Sequence, residues 1–214
     1  MNKPHILQLA EAYVKAELRH DSSGHDWWHI YRVTCMAQKI ARHEQADEFI
    51  CHLAALLHDI ADEKLNPSKE AGLQKVHTWL TQNNVHQQAT DHVIEIISTM
   101  SFGSGGNQMR TLEGRVVQDA DRLDALGAIG LARTFAYSGW KGQLMYDPEI
   151  PVRYNISKEE YRNGKSTALN HFHEKLYKLK GLMNTEYAKQ IAEERERFMK
   201  EFEEKFMEEW GGRQ

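Results

Sequence analysis

Apolar residues return every three or four positions along almost the whole chain, a period that suits helices and not sheets. Segments 5–19, 26–43, 46–62, 68–83, 86–100, 112–136, 166–181 and 185–210 all carry it, and no run alternates as a half-buried strand does. The expectation is an all-α protein. Two irregular segments interrupt the pattern, SFGSGGNQMRT at 101–111 and a longer one at 138–164. The longer segment contains Trp140, Tyr146, Tyr154 and Tyr161 together with Gly139, Gly142 and Gly164. That composition suits a packed excursion, or a loop that closes over a ligand. Over 214 residues there is no internal repeat and no clear boundary, so the chain reads as a single domain, 1–214.

Composition narrows the class. Hydrophobic residues at 41% and charged residues at 27% are ordinary globular usage. The opening stretch MNKPHILQLAEAYVKAEL mixes polar and apolar residues, so no export signal and no membrane span is read, and a cytoplasmic location is expected. Cys35 and Cys51 lie sixteen apart in helical patterns and form no CxxC unit, which suits buried thiols in a reducing compartment. A net charge of −4 argues against a nucleic-acid polymer as partner. Residues 133–180 nevertheless hold nine Lys/Arg against five Asp/Glu, which suits a small anionic ligand. The last helical segment places Ile191, Phe198, Met199, Phe202, Phe206 and Trp210 on one stripe, for docking on the core or for a dimer contact. Monomer and homodimer both remain open.

Three helical segments turn ionisable residues inward. In HLAALLHDIADEKL, residues 52–65, Leu53, Leu56, Leu57 and Ile60 make the core stripe, while His58, Asp59 and Asp62 fall opposite, beside Ala54 and Ala55. In GHDWWHIYRVTCMAQKIA, His29 shares its stripe with Val33, Met36 and Ile40, and Asp26 stands where an N-cap would. In VVQDADRLDALGAIGLA, residues 116–132, Asp121 and Asp124 share a stripe with Val117, Ala120, Ala128 and Leu131. A buried carboxylate needs a cation, which Arg115 or Arg122 would supply as an ion pair. Gly127 and Gly130 would let another helix pack closely. One divalent cation held by His29, His58, Asp59 and Asp121 would instead satisfy all three segments together. Imidazole with carboxylate suits Mn, Fe, Co, Ni or Zn, and the spacing matches neither a zinc finger nor HExxH.

The order H…HD…D formed by His29, His58-Asp59 and Asp121 resembles the signature of the HD-domain superfamily of metal-dependent phosphohydrolases. GHDWWHIYRV, LLHDIADEKL, VQDADRLDALGAIG and NHFHEKLYKLKGLM together resemble a bacterial subgroup of small HD hydrolases, across about residues 5–210. The resemblance implies an HD-domain helical bundle with a long C-terminal helix, its HD core at about 25–135 and a helical extension at about 136–214. It implies one divalent metal, with Mn favoured over Ni, Co, Fe, Zn or Mg. His77, His86 and His92 are not matched to further ligand positions, and no GYP-type motif is present.

In related members a carboxylate three residues beyond the HD aspartate takes part in catalysis. Asp62 occupies that place and Glu63 follows it. A bound divalent ion lowers the pKa of its water and polarises a phosphoryl oxygen, and Asp62 is in place to orient or deprotonate that water. Lys141, Arg153, Lys165, Lys175 and Lys178 are the candidate phosphate contacts. The expected reaction is cleavage of a small nucleotide, a (deoxy)nucleoside triphosphate, to monophosphate and pyrophosphate. The alternatives are a 5′-nucleotidase or other phosphomonoesterase, and a non-catalytic metal- or nucleotide-binding sensor.

Overall fold

The computed structural model describes residues 1–19, 26–63, 65–100, 109–154 and 164–212. Among them are nine α-helices and no strand. The chain forms two compact units, Met1–Asp121 and Arg122–Gln214. No described helix is long and apolar enough to cross a membrane.

The first unit is built around α3 (Glu48–Leu57), which packs against α1 (Lys3–Glu17), α2 (Trp27–Glu44) and α5 (Gln87–Thr99). Asp47 starts α3 by accepting from the backbone N–H groups of Phe49 and Ile50. From Phe49 onward every residue of α3 except His52 is buried, as expected of a helix that is apolar on all sides. The helical period of 46–62 suggests one continuous helix with an open polar side. Instead the α-helix ends at Leu57, and His58–Ala61 tighten into a 3₁₀ turn. Ala54 and Ala55 are fully buried because a central helix has neighbours on every side. The turn packs against α4 (Lys69–Gln82), which also packs on α5.

Residues 112–136 read as one helix but form two, α6 (Leu112–Asp124) and α7 (Gly127–Trp140). Leu126 is extended and Gly127 takes φ +72°, a left-handed conformation that costs glycine little. A Cβ on Gly130 would lie 2.2 Å from the carbonyl oxygen of Ala125. Gly130 therefore serves the break between helices, while Gly127 also lets the last helix approach, since a Cβ there would meet Arg195 Cγ at 3.0 Å.

The second unit combines α7, α8 (Ala168–Glu174), two 3₁₀ turns at Leu176–Lys178 and Lys180–Leu182, and α9 (Glu186–Trp210). Helix α9 packs on α7 and buries Ala188, Ala192, Glu196 and Met199. Phe202 and Phe206 join Phe135 and Phe172, and Trp210 stacks on Phe206 while Tyr146 meets it edge-on. Phe198, expected on this stripe, is exposed. Cys51 is buried as expected, but Cys35 is exposed on the outer side of α2, one turn from the exposed Tyr31. Of the two irregular segments, residues 101–108 and 155–163, Tyr161 included, lie outside the described residues. Tyr146 is packed, whereas Trp140 and Tyr154 are exposed.

Glu174 organises the described part of the long excursion. Its carboxylate accepts from Arg153 Nε and Nη2, both at 2.8 Å, from the Arg153 backbone N–H at 3.2 Å and from Ser166 Oγ at 3.1 Å. Burial opposes its charge, but Arg153 and Ser166 hold its carboxyl below the usual range. Glu174→Ala would leave the guanidinium without its partner, at an expected cost of about 3–5 kcal/mol in unfolding free energy. Because the folded pKa is lowered, the ionised group stabilises above the unfolded carboxylate value, and this contribution disappears as the pH falls through the folded one. Denaturant unfolding should therefore show the gap between wild type and Glu174→Gln narrowing on acidification. A gap independent of pH would contradict this.

Candidate metal centre

Within the first unit, α2, the 3₁₀ turn after α3, and α6 bring together His29, His58, Asp59 and Asp121. Asp26 caps α2 by accepting the His29 backbone N–H at 2.8 Å, which sets the helix start one turn before the imidazole is needed. His29, His58 and Asp59 are buried, and Asp121 is partly exposed. The two imidazoles meet edge-on, with centroids 5.5 Å apart.

Ligand atoms about 2.0–2.2 Å from one ion, at tetrahedral or octahedral angles, stand roughly 3.0–3.5 Å from one another. His29 Nε2 is 3.5 Å from Asp59 Oδ2 and 3.4 Å from Asp121 Oδ1. His58 Nε2 is 3.2 Å from Asp59 Oδ1 and 4.0 Å from Asp121 Oδ1. His58 Nδ1 lies 2.8 Å from the Ala55 carbonyl oxygen, which can only accept, so Nδ1 carries the proton. Nε2 is buried with no hydrogen-bond partner. An orphaned nitrogen facing two carboxylates, with its ring held from behind by a carbonyl, fits the demands of a metal ligand. Among the described residues, His29, His58 and Asp121 are the one group of three such side chains whose ligand atoms all lie within 4.8 Å of one another.

Although Asp121 is partly exposed, desolvation by its neighbours works against its charge, and the hydrogen bond from His29 and the electrostatic influence of His58 and His29 outweigh it. They hold its carboxyl below the usual range. Asp124, expected to face inward beside it, pairs with Arg133 across the break between α6 and α7. Arg115 and Arg122, the cations anticipated for these carboxylates, donate to the backbone carbonyls of Met109 and Leu182.

Asp62 follows the 3₁₀ turn with extended backbone and is half-buried, and Glu63 is exposed. Of the further histidines, His86 is exposed and His77 half-buried, and His92 lies 3.5 Å from Glu113. The five basic candidates all belong to the second unit. Lys141, Lys165 and Lys178 are exposed, and Lys175 is half-buried at the end of α8. Arg153 is engaged with Glu174. His171, also on α8, was not anticipated: burial and the neighbouring Lys175 push its imidazole down to about 4. The Ala55 carbonyl behind His58 carries no side-chain signal at all.

With this geometry in view, comparison with known proteins is specific. Residues 27–126 match the HD domain. The chain is 40% identical over 193 residues to the uncharacterized protein YpgQ of Bacillus subtilis, covering 89% of this chain and 86% of that one. It superposes on the crystal structure of an HD-superfamily hydrolase from Bacillus thuringiensis with a TM-score of 0.81 and 50% identity, covering 98% and 99% of the two chains. The crystal structure of B. subtilis YpgQ in complex with ADP gives a TM-score of 0.80 with 35% identity in the structural alignment, covering 98% and 97%. The chain belongs to the HD-domain superfamily of metal-dependent phosphohydrolases, in its YpgQ-like subgroup.

The tautomer of His58 is directly measurable. In two-bond ¹H–¹⁵N spectra of the metal-free protein, His58 is expected to show the Nδ1–H pattern set by Ala55. An Nε2–H pattern would remove the lone pair from the centre and contradict this assignment.

Proposed function

We propose that His29, His58, Asp59 and Asp121 hold one divalent transition-metal ion, with Mn favoured, and that the protein hydrolyses a small nucleotide. The preferred reaction takes a (deoxy)nucleoside triphosphate to monophosphate and pyrophosphate. The observation that carries the reading is the buried, unsatisfied Nε2 of His58, facing Asp59 and Asp121. A mixed nitrogen and oxygen donor set without thiolate suits Mn, Fe, Co, Ni or Zn, and Mg remains compatible with the carboxylates. Once bound, such an ion polarises a phosphoryl oxygen and acidifies water.

The chain's own groups supply the rest. Asp62 accepts the proton of the attacking water, with Glu63 as the adjacent carboxylate. Lys141, Lys165, Lys175 and Lys178 balance the charge of the phosphates, and Arg153 contributes through the excursion it ties to Glu174. The ADP complex of B. subtilis YpgQ supports a nucleotide as ligand. The uneven charge of the chain supports a small anion over a nucleic-acid polymer.

Product analysis with the four deoxynucleoside triphosphates, their monophosphates and Mn²⁺ is the test. Release of pyrophosphate from triphosphates is expected, whereas release of inorganic phosphate from monophosphates alone would identify a phosphomonoesterase. Elemental analysis should find stoichiometric metal in wild type and its loss in His58→Ala, Asp59→Ala and Asp121→Ala, with the fold retained. Asp62→Asn should keep the metal and lose about 10²–10⁴-fold in kcat. Fully metal-loaded protein that turns over no phosphate compound would overturn the enzymatic reading.

A further inference from the structure

Beyond the 3₁₀ turn, the direction in which Asp62 leaves is fixed by contacts that the ligand set does not include. On one side stands α4. A Cβ on Gly72 would meet Ala61 O, Cα and C at 2.6, 2.7 and 2.8 Å, all backbone atoms. Helix α4 therefore sits flush against the turn and leaves it no room to shift that way. On the other side, the side-chain amide of Asn66 reaches back across the loop. Its Nδ2 donates to Ile60 O at 2.8 Å and to Asp62 O at 2.9 Å, which uses both of its hydrogens.

The two peptide planes that flank Asp62 are both tied. The Asp62 N–H donates to Asp59 O at 3.0 Å. The Asp62 carbonyl accepts from Asn66 and from the Leu65 N–H, the latter at 3.0 Å. With both planes held, φ and ψ of Asp62 are set. Asn66 also binds the carbonyl of Ile60, the residue directly after Asp59. One amide thus locks the spacing between Asp59 and Asp62.

We propose that Asn66 is a positioning residue, which holds the Asp62 carboxylate in register with the His58-Asp59 turn so that it meets the reacting water in one orientation. The proposal rests on Asp62 being the proton acceptor, as proposed above. Asn66 touches neither substrate nor ligand; it acts through the backbone of Asp62. Removing it leaves the plane after Asp62 held by the Leu65 N–H alone and the Ile60 carbonyl untied, with the buried side chains of His58 and Asp59, walled by α4, in place. Supporting groups of this kind typically cost 10–100-fold in activity when lost.

The experiment compares Asn66→Ala, Asn66→Asp, Asp62→Asn and the double variant Asn66→Ala/Asp62→Asn, each assayed with the four deoxynucleoside triphosphates and Mn²⁺ and each checked for bound metal. Asn66→Ala should keep stoichiometric metal, change KM by less than about threefold and lower kcat about 10–100-fold. Asn66→Asp keeps the shape but sets a carboxylate oxygen against two carbonyls, so its kcat should fall at least as far. On the Asp62→Asn background, Asn66→Ala should cost no further turnover, because the group it positions is already disabled. A full additional loss on that background, a loss explained by departed metal, or wild-type kcat in Asn66→Ala would overturn the positioning role. Wild-type turnover by Asp62→Asn would instead overturn the assignment of Asp62 itself.

Discussion

The first unit is organised around an electrostatic problem: two imidazoles and two carboxylates converge where three of the four are buried. Carboxylates removed from water cost several kcal/mol each unless their charge is met. Against desolvation, His29 and His58 hold the Asp121 carboxyl below its usual range. A dication is the simplest completion of such a set, and the orphaned Nε2 of His58 points the same way. Membership of the HD-domain superfamily accords with that reading of the donors.

Much of the surrounding structure serves to keep the cluster from relaxing. Helix α3 is buried on all sides, so the turn that follows it starts from a rigid base. The α-helix changes to 3₁₀ geometry at His58. This change frees the Ala55 carbonyl from its usual helical partner and lets it accept a hydrogen bond from His58 Nδ1–H instead. Asp26 does similar work at the start of α2, where one carboxylate closes the first turn by accepting the His29 backbone N–H. Helix α4 approaches the turn closely enough that only glycine fits at position 72. Each support is a backbone contact, which deforms less readily than a contact between long side chains.

The second unit resolves a buried charge differently. Glu174 is matched by a guanidinium, a backbone N–H and a hydroxyl, so its demands are met within the protein. A satisfied pair of this kind holds a loop in one register. In the first unit, by contrast, His58 Nε2 is buried with no hydrogen-bond partner, as suits a centre that takes a ligand. The aromatic cluster of Phe135, Phe172, Phe202 and Phe206 gives the long helix α9 its seat, with Ala188 and Ala192 admitting close approach.

By itself the sequence determined the all-α class, the helical stretches though not their breaks, and the residues His29, His58, Asp59 and Asp121 that gather in the first unit. Helical period and inward-facing charge are local properties, so they can be read from one chain. Only the tertiary structure decided where helices stop and which polar partners meet. The break at Ala125–Leu126 and the 3₁₀ turn at His58 leave no mark in the apolar period, because a turn of one or two residues shifts the phase too little to detect. The pairing of Asp124 with Arg133 depends on the geometry of that break. Arg153, a candidate phosphate contact by charge alone, is bound to Glu174 twenty-one residues away, a distance no local pattern spans. Nor does composition reveal that Ala55 offers its carbonyl to His58, since every residue has one and packing alone chooses which is used.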